Sequence, residues 1–190
     1  MTPLVYTDLC LMGEGRLTMG EVAVGASVLM RSLHATFSQM PGCFALALPD
    51  LAHRSPQRRL SRFRVFASRM EDLAELHTLL KNGDGLGRLF NASFPETVPA
   101  DFKGPWMAYR RLRIHSRERA SSRAVTMRAL DEAGNSWVDM GSSDNRQRFR
   151  MYLACEALAQ GASPPPLEGA QVNSYGLSVA GYPLYLPHIP

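Results

Sequence analysis

The order of strand and helix patterns in the first 94 residues constrains the fold more than any other feature of this 190-residue sequence. Short apolar stretches alternate with two segments in which apolar residues recur at helical spacing. In chain order the predicted elements are a strand at 4–12, a helix at 18–37, strands at 43–48 and 61–68, a helix at 70–81 and a strand at 88–94. This β-α-β-β-α-β order predicts a ferredoxin-like domain, and therefore the α+β fold class.

Local signals support the first helix and one of the strands. Thr18 and Glu21 have the spacing of a capping box, which predicts that the helix begins there. The apolar residues at i, i+4 and i+7 spacing that form its buried stripe are Val22, Ala26, Leu29, Leu33 and Phe37. The segment 61–68 alternates arginine with apolar residues, which predicts a half-buried strand.

A proline-rich segment, PETVPADFKGP at 95–105, follows these elements and predicts a domain boundary. We therefore expect a ferredoxin-like domain at 1–94 and a second domain at 95–190. The second half contains a helix-compatible stretch at 121–128, followed by strand patterns at 136–140 and 147–154 on either side of a turn-rich loop. The segment at 171–187 has the pattern of a strand, a turn and a short final strand. These elements predict a C-terminal α+β domain.

The positive charge is concentrated in two stretches. The formal net charge is +4, but 54–69 holds six arginines without an acid, and 110–128 holds seven arginines against one glutamate. Together they carry +12, so the remainder of the chain carries −8. Focused charge of this kind indicates attraction of a polyanion, and the guanidinium fork matches phosphate oxygens two at a time. A solvated helix face is the alternative explanation.

Three distant cysteines, Cys10, Cys43 and Cys155, form no CxxC motif, and no Cys/His pair has zinc-ligand spacing. This pattern predicts a reduced, cytoplasmic protein without a structural metal. We expect no signal peptide, because no basic segment precedes a long apolar run at the N-terminus. No apolar run approaches the roughly 20 residues of a membrane span.

A few residues could carry chemistry, although each also has a structural explanation. His34 lies at the margin of the apolar stripe of the first helix, and its reference pKa of about 6.5 suits a general base. Ser142 and Ser143 lie in a predicted hairpin loop, where serine is common. Tyr175 precedes a glycine, a position at which tyrosine usually packs.

Five segments resemble motifs of the repeat-processing endoribonucleases of subtype I-F CRISPR systems. They are SLHATF at 32–37, ALPDL at 47–51, RLSRFRVFASRMEDLAELHTLL at 59–80, WVDMGSSDNRQRFRMYL at 137–153 and SYGLSVAGYP at 174–183. The resemblance covers nearly the whole chain. It implies a catalytic histidine at His34, an active-site serine at Ser142 and an active-site tyrosine at Tyr175.

The resemblance also explains the arginine-rich stretch, because this family places an arginine-rich helix against the major groove of an RNA stem-loop. The implied RNA-binding residues are Arg110, Arg111, Arg113, His115, Arg117, Arg119, Arg123 and Arg128. Arg113 would read a guanine, and His115 replaces the amide side chain of the family. Asp144 replaces a second serine, and the tail LYLPHIP at 184–190 extends past the usual end of the family.

The implied activity is metal-independent cleavage of CRISPR repeat stem-loops, in which a 2′-hydroxyl attacks the adjacent phosphorus. The resemblance implies no cofactor, binding as a monomer, retention on the 3′ hairpin of the mature guide RNA, and contact with other effector-complex subunits. Two alternatives remain at this stage. One is a catalytically silent subunit that caps the guide hairpin, and the other is a DNA-binding regulator, although the sequence has no helix-turn-helix.

Overall fold

A computed structural model describes residues 4–12, 17–52, 60–82, 89–114, 120–141, 148–163 and 171–189. The strands are β1 (Val5–Leu11), β2 (Phe44–Ala47), β3 (Arg62–Ala67), β4 (Phe90–Ala92), β5 (Glu96–Thr97), β6 (Trp106–Leu112), β7 (Ser136–Gly141), β8 (Arg148–Ala157) and β9 (Tyr185–Pro187). The helices are α1 (Met19–Gln39), α2 (Met70–Asn82) and α3 (Ala120–Glu132), with a 3-10 turn at Pro49–Leu51.

The first sheet confirms the predicted ferredoxin-like arrangement. Its strand order is β2-β3-β1-β4, every pairing is antiparallel, and β5 adds to β1. The predicted division at residue 94 remains a prediction, but the pairing of β5 with β1 extends the first sheet to Thr97.

Helix α1 begins where the capping box predicts. The Thr18 backbone N–H donates to Glu21 Oε2 at 2.7 Å, and the Glu21 N–H donates back to Thr18 Oγ1 at 3.3 Å. The predicted apolar stripe is buried along the helix. Because the stripe fixes the rotation of α1, His34 lies at the boundary between the core and the surface.

Strand β3 corrects the prediction of a half-buried strand, because it is buried along nearly its whole length. Arg64 is only 2% exposed. Its Nε donates to Asp8 Oδ1 at 2.7 Å, its Nη2 donates to Asp8 Oδ2 at 2.7 Å, and its Nη1 donates to the Ile189 carbonyl at 2.6 Å. The C-terminal residues therefore cover one side of β3, and Arg64 is not part of a basic surface.

The second sheet is antiparallel with the order β7-β8-β6-β9. Strand β6 was not predicted, because Arg110 and Arg111 interrupt its apolar pattern. The predicted strand at the start of 171–187 is wrong: Val172 and Val179 form only isolated bridges, and the regular strand in this segment is β9.

One apolar core is shared by the two sheets. The Leu46 N–H at the edge of β2 donates to the Gly176 carbonyl at 2.8 Å, and Cys155 Sγ donates to the Leu51 carbonyl at 3.1 Å. The C-terminal segment, 171–189, thus contacts the first sheet through Gly176, and the second sheet contacts the 3-10 turn through Cys155 on β8. Within the described ranges, no helix is both long enough and apolar enough to cross a lipid bilayer.

Candidate active site

A tight turn at 173–177 brings the predicted tyrosine to helix α1. Asn173 Oδ1 accepts the Tyr175 N–H at 2.8 Å and the Leu177 N–H at 3.3 Å. The side chain of Asn173 therefore supplies the acceptors that shape the turn.

Gly176 allows this turn to lie directly against α1. Its φ is +72°, in the left-handed region that favours glycine. A Cβ at this position would lie 2.8 Å from Phe37 Cε2 and 3.1 Å from the Leu46 nitrogen. A side chain therefore does not fit between the turn, the helix and the edge of β2.

The structure brings together His34 and Tyr175, two of the three predicted catalytic residues. Their rings are stacked, with centroids 4.3 Å apart and an interplanar angle of 27°. His34 Nε2 lies 3.1 Å from Ser174 Oγ. Burial lowers the pKa of His34, so the imidazole is neutral near neutral pH and can accept a proton.

Ser174 is a site residue that the sequence interpretation missed. The only signal was its position next to Tyr175, because its partner His34 lies 140 residues away in the sequence. Such a pairing becomes visible only when the turn and α1 are placed together.

Arg111 on β6 forms the next part of the site. Its guanidinium carbon lies 5.4 Å from the centroid of the Phe149 ring and 6.0 Å from that of Tyr175. Both distances are within the range of cation–π contacts. Tyr175 therefore contacts both the imidazole of His34 and the guanidinium of Arg111.

A separate groove lies along α1 beside the end of β7 and the start of β8. It is lined by side chains that include Arg31, Asp139 and Arg148. A Cβ on Gly141, the last residue of β7, would lie 3.9 Å from Arg31 Nη1. Ser142, the third predicted catalytic residue, follows Gly141 but lies outside the described residues.

The second sheet separates two arginines that are adjacent in the sequence. Neighbouring residues of a strand point to opposite faces, so Arg110 and Arg111 lie on different sides of β6. Arg110 is exposed and lies 4.0 Å from Glu156. The arginine-rich stretch is therefore not one continuous surface.

Helix α3 lies on the same face of the sheet as Arg110. Tyr152 Oη donates to Asp131 Oδ1 at 2.9 Å, and Arg150 pairs with the same carboxylate at 3.3 Å. None of the helix residues whose burial is described is buried. This helix therefore offers most of its surface to solvent.

The structure describes three of the other predicted RNA-binding residues, and all three are exposed. Arg113 is exposed after β6, and Arg123 and Arg128 are exposed on α3. The latter two are five residues apart, so they project about 140° apart around the helix. His115, Arg117 and Arg119 lie outside the described residues.

In the part of the chain that the structure describes, no group of three or more His, Cys, Asp or Glu residues could hold a metal ion.

Comparisons with known proteins do not assign a family. The sequence matches no protein-family model and no curated protein. One solved structure that it matches is the crystal structure of "Putative Chlorite dismutase TA0507", with 13% identity, a TM-score of 0.30, and coverage of 80% of this chain and 79% of that chain. At this identity and TM-score, the match supports neither a fold nor an activity for this chain.

Proposed function

We propose that this chain is an endoribonuclease that cleaves CRISPR repeat stem-loops in precursor RNA. The observation that carries the proposal is the stacked pair of His34 and Tyr175. The motifs that resemble the repeat-processing family assign these two residues to the active site, and they are 141 positions apart in the sequence. A lowered pKa at His34 supports its role as the base.

In the proposed reaction, His34 accepts the proton of the 2′-hydroxyl next to the scissile phosphate. The 2′-oxygen forms a bond to phosphorus while the bond from phosphorus to the 5′-oxygen breaks. The 5′-oxygen leaves and takes up a proton, so the products are a 2′,3′-cyclic phosphate and a 5′-hydroxyl. Tyr175 orients the imidazole by stacking, and Ser142 would hold the ribose for in-line attack.

The arginines at and before α3 supply the RNA-binding part of the proposal. Arg113 would read a base at the foot of the stem, whereas Arg117, Arg119 and Arg123 would contact phosphates. We propose that the protein remains on the 3′ hairpin as a monomer and contacts other effector subunits. Because precursor guide RNA is made inside the cell, we expect a cytoplasmic protein.

The test is to incubate the protein in EDTA with repeat RNAs from the CRISPR arrays of its source genome. We expect one cut per repeat, and no cut when the nucleotide 5′ of the scissile phosphate is 2′-deoxy. Hairpin binding without cleavage would favour the silent capping subunit, and preferential binding of duplex DNA would favour the regulator.

His77 provides a matched control for the role of His34. It is also a half-buried histidine whose pKa is lowered by burial, but its Nε2 lies 3.0 Å from Thr7 Oγ1, in the first sheet. We expect His34→Ala to abolish cleavage while hairpin affinity stays within about three-fold, since only transition-state chemistry is removed. His77→Gln should keep the parent rate. Cleavage by His34→Ala at the parent rate would contradict the proposed mechanism.

A further inference from the structure

Arg111 is a half-buried cation whose charge is not balanced within the described part of the chain. No carboxylate there pairs with its guanidinium, and its buried Nε has no hydrogen-bond partner. Arg64, a fully buried arginine on β3, is instead matched by both oxygens of Asp8 and by the Ile189 carbonyl. An unpaired buried charged donor is costly, so binding of an anion would stabilise Arg111.

The position of Arg111 determines which anion could reach it. The rings of Phe149 and Tyr175 confine its guanidinium, and the ring of Tyr175 also stacks on His34. One ring therefore contacts both the cation and the base, and an anion on Arg111 would lie in the same site as His34. The main chain of Arg111 pairs with Leu153 in the middle of the second sheet, so the cation is held on a rigid strand.

We propose that Arg111 binds a non-bridging oxygen of the scissile phosphate and stabilises the negative charge that develops there during cleavage. This inference rests on the proposed function. When the deprotonated 2′-oxygen bonds to phosphorus, the five-coordinate phosphate carries one more negative charge than the diester. Arg111 keeps all its protons and acts only as a fixed positive charge and hydrogen-bond donor.

This role differs from that of an arginine that binds the stem. A contact to a stem phosphate is present before and during the reaction, so its loss weakens binding without slowing the bound complex. A contact that strengthens as charge develops affects mainly the rate. Arg150 is the matched control, because it is the neighbour of Phe149 on β8 but lies on the opposite face of the sheet, where it pairs with Asp131 at 3.3 Å.

The first experiment measures single-turnover cleavage at saturating protein, together with affinity for a 2′-deoxy hairpin that cannot be cut. We expect Arg111→Gln to slow cleavage about 100-fold or more while affinity changes less than about three-fold. Arg150→Gln should retain the parent rate. If Arg111→Gln cleaves within about three-fold of the parent rate at saturation, the inference is overturned while the ribonuclease function stands.

The second experiment needs no RNA cleavage. Inorganic phosphate should raise the melting temperature of the parent and of Arg150→Gln above that in chloride of equal ionic strength, and Arg111→Gln should lose this rise. If Arg111→Gln does not fold, Arg111→Met keeps the packing on Phe149 without the charge. An Arg111-dependent rise in a protein that cuts no repeat RNA would reject the proposed function but retain the phosphate site. An equal response of the parent and the Arg111 variants would overturn the inference.

Discussion

At the scale of single residues, His34 differs from an ordinary surface histidine because Tyr175 covers one side of its ring. Removal of water disfavours the charged imidazolium, and this burial lowers the pKa of His34. Because the pKa of His34 is lower in the folded protein than in the unfolded chain, the neutral imidazole contributes to stability above about pH 6.5. This contribution is lost as the pH falls through the pKa of the folded protein, because the buried ring must then take up a proton.

We expect the imidazole of His34 to titrate with a midpoint below about 6.5 in the RNA-free protein. NMR titration of its ring protons measures this midpoint directly. Tyr175→Ala exposes the ring and should move the midpoint upward, toward the value of a solvated histidine. The rate constant of cleavage at low protein concentration should rise with pH through the same midpoint, because it reports the free enzyme. A midpoint at or above about 6.5 in the parent protein would contradict the conclusion that burial lowers the pKa of His34.

At the scale of elements, the sequence predicted those parts whose signals are local. The capping box of Thr18 and Glu21 and the apolar period of α1 each lie within one segment, and both were confirmed. Strand β6 was missed because its arginines hide the alternation that its pairing with β8 reveals. The pairing of Ser174 with His34 also depends on distant segments, so no local pattern could predict it.

The turn at 173–177 gives a prediction at this scale. Gly176→Ala introduces a Cβ at positive φ and within 2.8 Å of Phe37 Cε2. We expect it to lower the free energy of unfolding by about 2 to 4 kcal/mol, from backbone strain and overpacking together. Gly181 is the control, because its φ is +85° but a Cβ there would meet nothing within 4 Å. Gly181→Ala should lose only about 1 to 2 kcal/mol.

Urea unfolding of both variants measures these losses. If Gly176→Ala and Gly181→Ala lower the free energy of unfolding equally, the close approach of the turn to α1 does not contribute to the cost of Gly176→Ala. Gly176→Ala should also slow cleavage, because the displaced turn no longer holds Tyr175 against His34.

At the scale of the whole molecule, the C-terminal segment connects the two sheets. Gly176 meets the edge of β2, Ser178 forms a bridge with Arg110 on β6, and Ile189 reaches Arg64 on β3. Residues 184–189, in the tail that extends past the usual end of the family that the sequence resembles, therefore contribute to the core. Its role could not be predicted, because the partner of Ile189 lies 125 residues away.

The ion pair of Arg64 and Asp8 allows a test of whether the C-terminal segment buries this part of β3. Asp8→Asn leaves the Arg64 guanidinium buried without its counter-charge, so we expect the free energy of unfolding to fall by about 3 to 5 kcal/mol. The control is Glu156→Gln, which breaks the exposed pair with Arg110 and should cost less than about 1 kcal/mol. The double variant Asp8→Asn with Arg64→Met removes the stranded charge and should recover much of the loss. Chemical denaturation of the parent and the three variants measures these free energies of unfolding. If Asp8→Asn and Glu156→Gln lose similar amounts of stability, Arg64 is reached by solvent and is not buried beneath the C-terminal segment.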